Sequence, residues 1–263
     1  MTRSSTIEQE APVIRRPRRR IKPVVWTVGA LVVLVGLFFA ADAILRQVAQ
    51  GIVREQVQQQ LPSGIQAQDM SVTIDGFSVI GQYLSGSFDR VELSSPRVTV
   101  DGAPMAVRVV ATDIPVDLSR PVGHISGTLR VGQSSLNDLV KVPNTQSTIL
   151  LGDDTVGLRG DAKLIGIPVR YTATVTPSLA GAGVLELTPG DVKVSALSTS
   201  VDLTSLAQRI LGNKPLPLCM AQYLPEGMNV TGIDVSKGVA QVRVAASDIV
   251  LQKKTFDSRG SCS

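Results

Sequence analysis

Residues 24–41 (VVWTVGALVVLVGLFFAA) run for 18 positions without a charge. As a helix they span about 27 Å, close to the hydrocarbon core of a bilayer. A basic run, RRPRRRIK at residues 15–22, stands directly before them. Lysine and arginine beside a hydrophobic segment are retained in the cytoplasm. The expected arrangement is a cytoplasmic tail (1–23), a membrane segment (24–41) and an exported remainder. Two fates of the segment stay open. It is either an uncleaved single-pass anchor, or a signal sequence cut near Ala43 that releases the rest to the periplasm. The run is longer than a usual signal-peptide core, and Asp42 interrupts the small-residue motif, so the reading favours the anchor.

Charge separates the tail from the rest of the chain. The chain is formally +4 overall. Residues 1–40 hold seven basic and two acidic side chains, and the remainder holds 19 basic against 20 acidic. The exported part is therefore near neutral and offers no basic face to nucleic acid. Aromatic residues make up 3%, which leaves few platforms for stacking bases.

Residues 42–61 read as a helix: Leu45, Ala49, Val53, Val57 and Leu61 recur four apart, and Gln and Arg fill the other side. Strand patterns come next at 97–100 and 105–111, joined by Asp101-Gly102, then at 125–131, 163–176, 184–187, 192–197, 228–235 and 239–244. Ser236-Lys237-Gly238 is a tight turn in this reading. Two short helices are expected, at 134–141 and at 203–211 behind Asp202. The pattern predicts an α+β domain over 42–251, a long helix packed on a strongly curved antiparallel sheet, with a C-terminal tail at 252–263.

The inventory for catalysis is thin. His124 is the one histidine. There is no nucleophile elbow and no phosphate-binding glycine loop. One histidine and two cysteines do not make a zinc site, and no cofactor or metal is expected. Asp153-Asp154 reads as a solvated turn. Cys219 and Cys262 are expected to pair outside the cytoplasm, pinning the C-terminal tail to the 216–223 loop; two free thiols are the alternative. What remains is apolar sequence where loops are expected. Residues 76–86 (GFSVIGQYLSG) carry Phe77, Val79, Ile80, Tyr83 and Leu84 without a charge, and Leu218 and Met220 flank Cys219. Loops are polar unless they pack or bind. These seven residues are the candidate contacts for lipid chains, with a headgroup near Arg90 or Arg97.

VTIDGFSVIGQYLSGSFDRV (72–91), GTLRVGQSSLNDL (127–139), GIPV (166–169) and LPEG (224–227) together resemble the LmeA family of phospholipid-binding proteins of actinobacterial envelopes. The likeness covers residues 42–251. At Gly76-Phe77-Ser78-Val79 the family pattern has Gly-Phe-Pro-Phe instead, inside the candidate lipid-contact stretch. The resemblance implies a tubular lipid-binding-like fold and a non-enzymatic role. It implies binding of an anionic phospholipid such as phosphatidylinositol, in support of lipomannan-type glycolipid maturation beside envelope glycosyltransferases. The rival is a membrane-tethered interaction module that scaffolds an envelope enzyme without lipid; a hydrolase using His124 is a third reading.

Overall fold

In a computed structural model of the chain, the structure describes residues 21–61, 64–140, 146–164, 167–181, 183–196, 214–251, 255 and 258–262. The helix expected at 203–211 lies outside them. The chain divides into two units, Met1–Ala43 and Ile44–Ser263. The first is the apolar part of helix α1 (Ile21–Gln60). Its Leu31, Val32, Val33, Leu34 and Leu37 are each more than 60% exposed. This helix is long and apolar enough to cross a membrane. A side-chain surface of that kind, bare of protein, calls for another apolar medium.

In the second unit α1 continues. Ile44, Leu45, Val48 and Ile52 stay exposed, whereas Val57 and Leu61 are half-buried. Twelve strands succeed it among the described residues. Seven form an open antiparallel sheet: β1 (Ile65–Gln68), β2 (Ser71–Asp75), β3 (Ser87–Val100), β4 (Ala103–Pro115), β5 (Val122–Gly132), β11 (Met228–Ser236) and β12 (Val239–Ile249). The order is β1-β3-β4-β5-β12-β11, with β2 also on β3. A second antiparallel sheet has the order β10-β9-β8-β7-β6. Its strands are β6 (Gln146–Leu151), β7 (Val156–Leu164), β8 (Ile167–Gly181), β9 (Val184–Ala196) and β10 (Leu216–Cys219).

Turn chemistry sets the registers. Asp101 and Gly102 both have positive φ, 48° and 86°, as a two-residue hairpin matching the strand twist requires. Register shifts at Ser95/Val98 and Val230/Gly232 bend the first sheet. The run 163–176, read as one strand, is the end of β7 and most of β8. The runs at 184–187 and 192–197, read as two strands, are one strand. A register shift opposite Ala173/Val175 absorbs Gly190 and Asp191, and Thr174 Oγ1 donates to Asp191 O there (3.2 Å). Residues 76–86 do not form a loop throughout: Val79–Ser85 is helix α2. Ser78 Oγ accepts from Gly81 N–H (3.0 Å), and Gly86 at φ 87° ends the helix, so its start and stop signals both stand in the sequence.

Helix α3 (Gln133–Leu139) joins the two sheets. The exposed edge of β6 would present unpaired backbone groups. Asn137 covers it as a strand would: its Nδ2 donates to Ile149 O (2.9 Å) and its Oδ1 accepts from Ile149 N–H (2.6 Å). Gln133 Oε1 accepts from Leu151 N–H (2.8 Å). Beneath these bonds Ile149, Leu151 and Val235 form a buried cluster with Leu136, Val156, Leu158, Ile233 and Ala240 against it. Asn137→Ala leaves a part-buried backbone pair unmet and is expected to cost about 2 kcal/mol, read as a lower urea midpoint at unchanged slope.

Candidate functional site

Strand alternation puts every second residue on one face. The registers of β3, β4, β5, β12 and β11 line these up into rows across the first sheet. They are Val91–Ala111–Ile125–Ala246–Met228, Leu93–Val109–Gly127–Val244–Val230, Ser95–Val107–Leu129–Val242–Ile233 and Val98–Met105–Val131–Ala240–Val235. In these four rows of five, Ser95 is the one polar side chain. Its Oγ donates to Gln68 O (2.7 Å), so its hydroxyl proton is already used. The other parity is polar, with Glu92, Arg108, Thr128, Arg130, Gln241 and Arg243.

The rows are closed at both ends and half-covered between. At one end Ile114, Val122, Ile125, Ala246 and Ile249 form a buried cluster with Phe88, Val91 and Leu251 against it. At the other, Val235 belongs to the cluster under α3. In the middle, Leu93, Val107, Val109, Leu129, Val242 and Val244 are only half-buried. Two apolar cavities lie there. One, about 370 Å³, runs over Val109, Gly127, Leu129 and Val244. The other, about 260 Å³, is bounded by Leu93, Val98 and Met105 and by Val57 and Leu61 of α1. Val107 lines both. A pocket lined this way, without free polar groups, selects by apolar burial alone.

The larger cavity is roofed by Met220 and Leu224, on either side of a short 3₁₀ turn, Ala221–Tyr223. Three ties hold that roof. Cys219 is disulfide-bonded to Cys262. Met220 N–H donates to Gly183 O (2.7 Å). Gly260 N–H donates to Leu224 O and Glu226 N–H to Ser258 O (both 3.1 Å), so residues 258–260 act as a strap along the loop.

The residues singled out in the sequence separate. Met220 lines the larger cavity. Leu218, on β10 opposite Leu185, is 38% exposed. Val79 is buried on the inner side of α2, and Ile80 is half-buried. Phe77, Tyr83 and Leu84 are 80%, 61% and 79% exposed and line neither cavity. The rows themselves were missed. Their signal is the alternation in HISGTLRV (124–131), which shows a half-buried strand but not what lies beside it.

The basic residues near the apolar motif are paired. Arg97 bonds Asp69, and Arg90 lies 3.2 Å from Asp75. Arg108 donates to Glu92 (2.8 Å), which holds the Glu92 carboxyl below the usual carboxylate range, with Arg90 adding to the effect. A depressed carboxyl stabilises the fold at neutral pH, and that contribution is lost as pH falls through its folded value. His124 is exposed on the polar face, its Nδ1 3.1 Å from Ser247 Oγ. Among the described residues no group of three or more His, Cys, Asp or Glu is placed to hold a metal.

The profile of the LmeA-like phospholipid-binding family matches residues 40–247. The chain belongs to that family. The match takes in all five strands of the apolar rows and the roof loop, so the cavities lie inside the family region. No curated protein and no solved structure matches the chain.

Reducing the Cys219–Cys262 bond is expected to lower the unfolding free energy by about 4 kcal/mol, from the chain entropy of a loop with sequence separation 43. Urea unfolding with and without reductant measures it.

Proposed function

We propose that this family member holds an anionic phospholipid, phosphatidylinositol-like, with its acyl chains along the apolar rows and without catalysing a reaction on it. The observation that carries the reading is the apolar wall of the first sheet: wide, half-covered, with its one hydroxyl spent on backbone. Buried methylenes supply the affinity at about 0.8 kcal/mol each, so ten offer about 8 kcal/mol before ordering costs. A scaffold that binds no lipid has no use for half-buried middle rows between two closed ends. Val107, Leu129, Val242 and Val244 are the wall contacts in this reading, and Met220 the contact from the roof.

The location rests on the basic run at 15–22 and the disulfide. The first keeps the N-terminus in the cytoplasm, and the second forms in an oxidising compartment. The lipid-holding unit then stands at the outer face of the plasma membrane. There it supports maturation of lipomannan-type envelope glycolipids, with envelope glycosyltransferases as the partners such a role calls for.

The full chain, purified in mild detergent and extracted with organic solvent, is expected to yield bound phospholipid enriched in phosphatidylinositol over the host membrane. Val107→Gln, at the junction of the two cavities, should lose most of it. Arg130→Gln on the polar face and His124→Ala should retain it, and His124→Ala should leave activity in cells intact. Extracts without phospholipid, or Val107→Gln extracts equal to the parent, would sink the proposal.

A further inference from the structure

The apolar surface on α2 is built, not left over. Gln82, buried, holds the segment from inside: its Nε2 donates to Asp75 O (3.0 Å) and its Oε1 accepts from Asp89 N–H (2.7 Å). Gly76 takes φ 114°, and a Cβ there would come within 2.3 Å of Gln82 Nε2. With Val79 and Gln82 turned inward, α2 presents Tyr83 and Leu84 outward, and Phe77 lies exposed just before it. No charge occurs from Gly76 to Gly86. A second loop joins this end of the sheet: Val116 N–H donates to Gly86 O (3.0 Å), and Leu118, two residues on, is 50% exposed. Two connections at this end of the sheet thus carry exposed apolar residues, with a tyrosine, a residue favoured where apolar and wet regions meet.

The occupant is indicated by the chain itself. Arg46 Nη2 donates to Gly76 O (2.8 Å), tying the start of this segment to α1. Arg46 is five residue steps from Ala41, the end of the uncharged run, a reach of at most about 18 Å even fully extended. Any bilayer that holds the run is within that length of chain from the segment's attachment.

We propose that Phe77, Tyr83 and Leu84, with Leu118 of the loop bonded to Gly86, seat in the interfacial layer of a lipid bilayer as a second membrane contact besides residues 24–41. The contact does not depend on what fills the apolar rows.

The test uses the full chain in vesicles of phosphatidylcholine and phosphatidylglycerol, with a thiol-reactive spin label at Leu84→Cys and, separately, at Lys237→Cys in the exposed β11–β12 turn. Accessibility to oxygen and to a water-soluble nickel chelate is read at each site. The expected result is nickel accessibility several-fold lower at 84 than at 237, with oxygen accessibility higher. Equal nickel accessibility at the two sites would overturn the proposal. So would a joint fall of oxygen and nickel at 84, the mark of cover by a second copy of the chain. Bound phospholipid, assayed on the same samples, reports separately on the apolar rows.

Discussion

Apolar side chains of one parity on five paired strands must be kept from water, and the rest of the second unit is arranged around that demand. The first sheet solves it at its ends by ordinary packing. Phe88, Ile114, Val122 and Ile249 close one end; α3 and the second sheet close the other at Val235. Between them the described residues supply only partial cover, from Val57 and Leu61 on one flank and Met220 and Leu224 on another. The half-buried state of Val107, Leu129 and Val244 is the physical basis of the proposed lipid site. A fold that needed only a core would have closed over them.

Polar chemistry serves this wall without entering it. Ser95 is turned to the backbone of Gln68, and Asn137 and Gln133 fasten the second sheet through amide groups. The disulfide and the strap at 258–260 hold the roof from outside. Arg90, Arg97 and Arg108 are paired with carboxylates on the far face of the sheet or at its edge. In the proposed reading, specificity for a headgroup has to arise at the rim, while the wall contributes apolar burial alone. Membership of a phospholipid-binding family agrees with such a division.

Part of this was legible in the residues. The uncharged run, the Asp101-Gly102 turn, the last hairpin and the Cys219–Cys262 pair all arise from local chemistry, because each depends on neighbours in sequence or on two thiols alone. Strand β5 shows its alternation openly. That its inner face continues through Val107 and Val244 depends on pairings between β4, β5 and β12, and β12 begins more than 100 residues after β5. No local pattern carries that information. The stretch 76–86 illustrates the opposite lesson. Its apolar residues stand out in the sequence, but Ser78 and Gly86 mark a helix whose Tyr83 and Leu84, like Phe77 just before it, are exposed and line neither cavity.

The central claim is that acyl chains lie against one parity of the sheet. A photoreactive benzophenone side chain at Val107, on the apolar face, and at Arg130, on the polar face, tests it directly in cells. Irradiation and then mass spectrometry of the purified protein should give a phospholipid adduct at 107 and none at 130. Adducts at both positions alike, or at neither, would contradict the account.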